Sequence, residues 1–221
     1  MKNEESHRLD EDPKMMNRYV ESCRKDFWQA VFQVERDYLL THLSGCRDIL
    51  SVGCGPAFIE GELSKQGFRV TGLDVSREAL GHAPDQIRTI AAGIEDVPLP
   101  ESSFDAVIYV VSLQFIEDYG KALTKTAMVL RPGGRIIVML LNGESAFFKE
   151  KMSDPDSYVR KIRHTDLKAI EQTMAECFQV HAEYFMGVRQ GELFESQDPI
   201  WAALYIITGT KPPETGRGRE N

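Results

Sequence analysis

The sequence has fewer basic than acidic residues, and this deficit of positive charge disfavours nucleic-acid binding. The 221 residues contain 26 Lys and Arg against 34 Asp and Glu, which gives a formal net charge of −8. A protein that holds nucleic acid needs a basic face to neutralise phosphates, and the sequence shows no basic cluster. We therefore expect no nucleic-acid partner.

Long apolar runs are also missing. The longest, at 107–113 and 136–141, fall far short of the ~20 residues that span a bilayer. The first 14 residues have no apolar core of the kind found in signal peptides. The four cysteines form no CxxC pair, and without a secretory signal they are expected to be reduced thiols. These absences predict a cytoplasmic protein with no membrane partner, and they leave the oligomeric state open.

Short apolar runs alternate with helical patterns along the first two thirds of the chain. The runs, each about as long as a buried strand, cover residues 48–52, 68–74, 87–93, 104–111 and 135–141. After a helical pattern at 164–177, two further strands at 178–186 and 199–209 are joined by a polar segment that could form an antiparallel hairpin. This order predicts an α/β fold. We expect a seven-stranded, mostly parallel sheet with helices on both faces and an antiparallel last hairpin.

Polar ends bound this single predicted domain. Residues 1–14 and 211–221 are charged or rich in Pro and Gly, so both are expected to be disordered. The domain would then cover 15–210. Within it, residues 15–44 carry a helical pattern before the first strand, and 142–163 form a long mixed segment.

A glycine turn after the first strand is the strongest local signal for ligand binding. The strand ends at Val52, and Gly53, Cys54 and Gly55 follow before a helical pattern begins. Glycine lets a ligand approach the backbone closely, and a helix start offers unpaired N–H groups. Asp74 stands 19 residues beyond Gly55, at the end of the second strand. A carboxylate there can bind both hydroxyls of a ribose.

Two common nucleotide sites do not fit this turn. A dinucleotide site needs a third glycine where the chain has Phe58, and no Gly-Lys-Ser/Thr follows to cradle a phosphate. A ligand with a ribose but no phosphate fits better. The alternative is a tight structural turn followed by a helix-capping Asp.

Four segments occur in the order found in the class I S-adenosylmethionine-dependent methyltransferases, and from about 49 to 138 the chain resembles this family. They read ILSVGCGPA, GLDVS, IEDVPLPESSFDAVIYVVSLQFIED and VLRPGGRIIV. The resemblance implies a Rossmann-like methyltransferase of the small-molecule type, with S-adenosylmethionine as its cofactor. It assigns cofactor contacts to Gly53, Cys54, Gly55, Asp74, Val75, Ile94, Glu95 and Ser112. The turn would hold the methionine part, Asp74 the ribose, residues 75, 94 and 95 the adenine, and Ser112 would lie near the sulfonium.

The chain departs from the family pattern at three positions. Ser51 stands where the family often has an acid, and Ala57 where it often has a third glycine. Gly93 stands where an Asp often bonds the adenine amino group. Asp74 is therefore the main polar cofactor contact that the resemblance names.

No motif singles out a catalytic residue. The sulfonium methyl group is already activated, so holding the nucleophile in line with it is the main requirement, and a base is needed only if the nucleophile arrives protonated. Candidates are Tyr19 on the opening helix, Gln114 after the fourth strand and His164 before the sixth. Each has an alternative role in packing or capping. No grouping of His, Cys and carboxylates suggests a metal site, and none is expected.

The resemblance also implies a helical lid at 15–44 and a variable acceptor segment at 142–163, because similar proteins fold the opening helix over the cofactor. A small-molecule acceptor is favoured. Two other hypotheses stay open: a protein methyltransferase, and a degenerate S-adenosylmethionine-binding regulatory module without turnover. The chain has no Asn-Pro-Pro-aromatic motif after the fourth strand, which disfavours adenine in nucleic acid as the acceptor.

Overall fold

The computed structural model describes residues 13–155 and 157–213. The predictions of disorder at 1–14 and 211–221 lie outside these residues, except at 13–14 and 211–213. Helix α1 already begins at Pro13. At the other end, the Lys211 N–H donates to the Gly134 carbonyl at 2.8 Å. The folded domain therefore includes Pro13 and Lys211, slightly beyond both predicted bounds.

One sheet of eight strands organises the molecule, in the order β3-β2-β1-β4-β5-β8-β6-β7. The strands are β1 (Asp48–Val52), β2 (Arg69–Asp74), β3 (Arg88–Ala91), β4 (Phe104–Val110), β5 (Leu130–Leu141), β6 (Gln179–Arg189), β7 (Glu192–Phe194) and β8 (Ala202–Thr210). The first five pair in parallel, and β8 runs antiparallel between β5 and β6. The α/β fold, with its mostly parallel sheet and antiparallel last hairpin, is confirmed.

The predicted count of seven strands is corrected to eight by β7, which lies within the segment expected to be a polar connection. Gln190 and Gly191 both have positive φ, 52° and 79°, as a tight two-residue hairpin turn requires. Gly187 allows the Phe194 ring to pack against β6, because a Cβ at Gly187 would lie 2.4 Å from the Phe194 Cζ. The extra strand thus depends on a turn and a close packing contact.

Seven helices cover the two faces of the sheet in the described part of the chain. They are α1 (Pro13–Cys23), α2 (Asp26–His42), α3 (Phe58–Lys65), α4 (Arg77–Leu80), α5 (Tyr119–Val129), α6 (Ala146–Ser153) and α7 (Leu167–Ala175), with 3₁₀ turns at Leu113–Phe115 and Tyr158–Lys161. The helical region predicted at 15–44 is a pair of helices, because Lys25 is extended. The helix predicted from His164 begins only at Leu167, where the Asp166 carboxylate accepts the Ala169 N–H at 3.0 Å.

Alternation along the strands fills an apolar layer on each face. Ile49 and Leu50 are both fully buried but belong to different core clusters, as neighbouring strand residues point to opposite faces. Helices α2, α3 and α6 pack on one layer, and α5 and α7 on the other. No helix in residues 13–155 and 157–213 is long and apolar enough to cross a membrane.

Candidate active site

Three loops meet where β1, β2 and β4 end. They cover 53–57, 74–76 and 111–115, and their strands are neighbours in the sheet. Ligands in open α/β sheets bind at this carboxyl edge of parallel strands. The sequence-predicted cofactor residues at these loops are therefore brought together by the topology.

At the first position of the glycine turn, Gly53, only glycine fits. Gly53 has φ +70°, and a Cβ there would lie 2.5 Å from the Ser112 Cβ. Its N–H donates to the Leu73 carbonyl at 2.6 Å, which ties the turn to β2. Gly55 has φ +52°, and no atom lies within 4 Å of the position of a Cβ there. The turn is thus closed toward β4 and open above Gly55.

The Cys54 side chain points from this turn toward strand β2. A Cβ at Gly72 would approach the Cys54 Sγ to 2.7 Å, so the thiol packs over that glycine in β2. Burial raises the pKa of the Cys54 thiol well above its usual range, which keeps it protonated. Only the main chain of Cys54 is suited to contact a ligand in the turn.

Asp74 connects two of the three loops. One of its carboxylate oxygens accepts the Gly55 N–H and the other accepts the Ser76 N–H, both at 2.8 Å. These are charge-assisted bonds, which are stronger than bonds between neutral groups. The carboxylate expected to hold a ribose therefore also fixes the shape of the glycine turn.

Beyond Asp74, Val75 and Glu95 flank Gly93. Val75 is 63% exposed, and a Cβ at Gly93 would lie 3.9 Å from the Val75 Cγ1 and 3.0 Å from a Glu95 carboxylate oxygen. Ile94 differs from the expectation that it frames the adenine, because its side chain is only 1% exposed and belongs to the core. Its main chain alone can face a ligand.

The loop after β4 is held against the glycine turn under backbone strain. The Ser112 hydroxyl donates to the Val52 carbonyl at 2.5 Å. Val111 has φ 51°, a conformation that costs a β-branched residue of order 1–3 kcal/mol. The Val111 N–H donates to the Met139 carbonyl at 3.0 Å. Strain of this kind is typical of functional loops.

Gln114, a catalytic candidate, is a structural clamp. It is fully buried, and its side-chain oxygen accepts the Leu141 N–H at 2.7 Å. Its side-chain nitrogen donates to the carbonyls of Leu141 and His164, each at 3.1 Å. Because both ends of the buried amide hold main-chain groups, the structure favours the structural role of Gln114.

His164 is likewise tied to the main chain. Its Nε2 lies 2.9 Å from the Ile116 carbonyl and 3.2 Å from that of Glu117, and both oxygens can only accept, so Nε2 carries the proton. The ring packs edge-on against Tyr119 with centroids 4.8 Å apart. These contacts anchor the chain before α7 and make His164 unsuited to act as a base through Nε2.

Tyr19, the third candidate, lies on α1 in a row of aromatic rings. Its ring meets Tyr158 edge-on at 6.1 Å between centroids, and Tyr158 stacks on Phe115 at 6.1 Å. Phe115 follows Ser112 by three residues, so the row leads from the first helix to the loop after β4. Tyr19 as a whole residue is 37% exposed, but desolvation of its hydroxyl, followed by the nearby Cys23, raises its pKa well above the ordinary value, which argues against Tyr19 as a base.

Helices α1 and α2 correspond to the lid predicted at 15–44, are called the lid below, and pack against elements that surround the three loops. Val20 of α1 packs with Ala79 of α4, the helix that follows the Asp74 loop. Phe32 of α2 stacks on Phe58 of α3, with centroids 5.8 Å apart. Phe27 and Trp28 pack against Phe147 of α6, which lies within the 142–163 segment. The helices predicted to close the site do contact the elements around it.

Two buried acids were missed in the sequence. Glu35 of α2 and Glu60 of α3 are each only 3% exposed. The Ser51 hydroxyl donates to the Glu60 carboxylate at 2.5 Å, so an acid from α3 accompanies the serine found where the family often has an acid. Burial, with the nearby Glu60, raises the pKa of Glu35 to about 8. Burial also raises the pKa of Glu60 to about 7.

These raised pKa values predict a pH-dependent stability. A buried acid whose folded pKa of about 8 exceeds its ordinary 4.5 stabilises the fold while protonated, and this contribution is lost as the pH rises from 4.5 through 8. Urea unfolding should therefore show that Glu35→Gln, which keeps the shape but cannot ionise, loses less stability than wild type across this range. The difference should reach a few kcal/mol at most. Parallel pH profiles for the two proteins would contradict the assignment.

No metal centre is found among residues 13–155 and 157–213, where no three His, Cys, Asp or Glu side chains come together as a metal ion would require.

Comparison with known proteins supports a methyltransferase fold and family. Residues 50–138 match the family model described as a methyltransferase domain. The malonyl-[acyl-carrier protein] O-methyltransferase of Pseudescherichia vulneris is 32% identical over 191 residues, which covers 84% of this chain and 73% of that protein.

Solved structures agree at lower identity, where only the fold can be compared. A SAM-dependent methyltransferase from Thermotoga maritima gives a TM-score of 0.75 at 18% identity, covering 90% of this chain and 97% of that one. A phosphoethanolamine N-methyltransferase from Haemonchus contortus, in complex with S-adenosyl-L-methionine, gives 0.70 at 17% identity, covering 93% and 58%.

Proposed function

Because the chain belongs to the class I S-adenosylmethionine-dependent methyltransferases, we propose that it methylates a small molecule held between the glycine turn and the lid. The observation that carries this proposal is the aromatic row from Tyr19 through Tyr158 to Phe115. It connects the lid to the loop that carries Ser112. An acceptor bound there would be enclosed on the lid side, as suits a small molecule better than a protein segment.

The residues present fit the methionine and ribose parts of S-adenosylmethionine. Gly55 leaves open space above the turn, whereas a side chain would fill it. We assign the methionine part to the main chain of Gly53, Cys54 and Gly55, and the ribose to Asp74. The adenine would lie beside Val75 and Glu95, with the Ile94 main chain at its edge, and Ser112 would lie near the sulfur.

When bound, S-adenosylmethionine supplies an activated methyl group. The protein's own contribution is to hold the acceptor in line and to exclude water, and positioning alone can lower a barrier by about 7–11 kcal/mol. The lid performs the exclusion in this proposal, since α1 reaches α4 and α2 reaches α6. The clamp at Gln114 and the anchor at His164 hold the loop after β4 in place.

Asp74→Ala tests the assignment of the ribose to Asp74. Removing a carboxylate bonded to two ribose hydroxyls should cost about 1.5–3 kcal/mol, so Asp74→Ala should weaken S-adenosylhomocysteine binding roughly 10- to 100-fold. Part of this loss would come from a looser turn, because the Gly55 N–H also loses its acceptor. Calorimetry would measure it. Asp166→Ala removes a carboxylate that caps α7 and should leave affinity unchanged. Equal affinities for wild type and a normally folded Asp74→Ala would exclude the ribose role.

The proposed function itself is tested with methyl-labelled S-adenosylmethionine and a cell extract separated into low-mass and protein fractions. We expect the label to appear in the low-mass fraction and to depend on the enzyme. Label that accumulates only on protein would replace the proposal by a protein methyltransferase. No transfer to either fraction, with normal cofactor binding, would favour a binding module without turnover.

A further inference from the structure

Glu35 carries a buried carboxylate oxygen without a partner. Among the described residues, its Oε2 is the one buried side-chain oxygen that has no hydrogen-bond partner. The residue lies on the inner face of α2, between the buried Val31 and Tyr38. Leaving such a group unpaired is costly, so its retention needs an explanation.

Glu60 stands near Glu35 and next to the cofactor turn. Its carboxylate accepts the Ser51 hydroxyl at 2.5 Å, and Ser51 lies two residues before Gly53 in the chain. The charge of Glu60 contributes to the raised pKa of Glu35, and the charge of Asp74 contributes to that of Glu60. For the described residues, no Lys, Arg or His is among the groups that shift these two pKa values. The lid side of the site therefore holds two buried carboxyl groups whose raised pKa values reflect the lack of a nearby cation.

Aromatic rings border the same region. Tyr158 is half-buried, and its pKa is raised by desolvation of the phenol and then by the charge of Glu35, which places the phenol near that carboxylate. The row from Tyr19 through Tyr158 to Phe115 extends from there to the loop after β4. Aromatic faces next to carboxylates attract cations.

We propose that Glu35 and Glu60 form an ammonium-binding subsite beneath the lid, which takes an alkylammonium group of the methyl acceptor or of the methionine part of the cofactor. The proposal rests on the proposed function and names the chemistry of its acceptor side. An ammonium has three donors, which suits one unpaired oxygen of Glu35 and the second carboxylate. An anionic acceptor would meet two buried acids and would bind poorly.

If the ammonium belongs to the acceptor, Glu35 also serves as its base. The ammonium proton moves to the Glu35 carboxylate, and the freed nitrogen pair forms the bond to the methyl carbon. The bond from that carbon to sulfur breaks and its electron pair stays on sulfur, which leaves S-adenosylhomocysteine. A base with a pKa near the working pH is well suited to this transfer.

The test uses Glu35→Gln, which keeps the shape of the side chain but cannot ionise to pair with an ammonium. Glu183→Gln is the matched control, because Glu183 accepts the Tyr38 hydroxyl of the same helix at 2.8 Å from β6, outside the three loops. Glu60→Gln is a second variant in case the first does not fold. Calorimetry measures the affinities of each protein for S-adenosylhomocysteine and for 5′-methylthioadenosine, which lacks the amino-acid part. NMR titration then measures the affinities of benzylamine, benzyl alcohol and benzoate for the protein with S-adenosylhomocysteine bound.

Two outcomes support the subsite and identify its source. If the acceptor carries the ammonium, wild type binds benzylamine more tightly than benzyl alcohol or benzoate. Glu35→Gln then weakens benzylamine binding about 10-fold, while both nucleosides bind normally. If the cofactor carries it, Glu35→Gln weakens S-adenosylhomocysteine about 10-fold and leaves methylthioadenosine unchanged. Unchanged affinities throughout, absence of benzylamine binding with normal nucleoside affinities, or benzoate binding as tight as benzylamine would overturn the proposal. Labelling of protein instead of small molecules would refute the proposed function without changing these binding results.

Discussion

Replacing Gly53 by alanine is expected to weaken S-adenosylhomocysteine binding at least about 100-fold. The new Cβ would lie 2.5 Å from the Ser112 Cβ, far inside van der Waals contact, and Ser112 is held in place by its bond to the Val52 carbonyl. The clash must be relieved by moving the turn or the loop after β4. Both form the proposed cofactor site, so affinity falls through either route.

Gly45→Ala is the matched control for Gly53→Ala. Gly45 also has a left-handed backbone, with φ +82°, but no atom lies within 4 Å of the position of its Cβ. It should therefore show only the strain of the left-handed conformation, about 1–2 kcal/mol, and bind normally. Calorimetry and thermal unfolding separate the two effects. If both variants lost stability equally and neither lost affinity, the turn would not be the cofactor site.

Removing residues 1–24, and with them α1, is expected to abolish turnover while the rest of the domain still folds. The deletion takes away Val20, which packs on Ala79, and Tyr19, which begins the aromatic row. Helix α2 keeps its buried residues Val31 and Leu39 in the core. Because a displaced acceptor can cost about 100-fold in rate, methyl transfer should fall by at least this factor. Cofactor affinity should fall less, about 10-fold.

The control for this deletion is truncation after Pro213. Residues 214–221 lie in the predicted disordered tail, whereas Lys211 must be kept because its Nζ donates to the Leu130 carbonyl at 2.7 Å. Val20→Asp offers a point variant that undocks α1 without shortening the chain. Label transfer and calorimetry measure both. Full activity of the protein without α1 would show that α1 is not part of a functional lid.

Local sequence pattern was sufficient for the parallel part of the fold. The apolar runs at β1 and β4 are short and uninterrupted, as expected for strands buried on both faces, and Asp118 marks the start of α5 by accepting the Lys121 N–H. Strand β7 was missed because three residues are too few to show an alternation of apolar and polar side chains. Its position depends on the packing of the Phe194 ring against Gly187. Such contacts are set by the folded chain.

In the candidate site too, residues at strand ends could be placed from the sequence, whereas residues that depend on contacts in the folded chain could not. Gly53, Gly55 and Asp74 could be placed from sequence because each lies at the end of a strand, and strand ends meet at one edge. The sequence left Gln114 between a pocket role and a structural role, because its contacts with Leu141 join residues that are distant in sequence. Glu35 was missed because an acid on an amphipathic helix ordinarily faces water, and only the docking of α2 buries it.

In the proposed function, the glycine turn and Asp74 form the site for S-adenosylmethionine. The most direct measurement is calorimetric titration of the purified protein with S-adenosylhomocysteine and, separately, with NAD. We expect saturable binding of S-adenosylhomocysteine that is lost in Gly53→Ala and retained in Gly45→Ala, and we expect no binding of NAD. Tight binding of NAD with no binding of S-adenosylhomocysteine would contradict it.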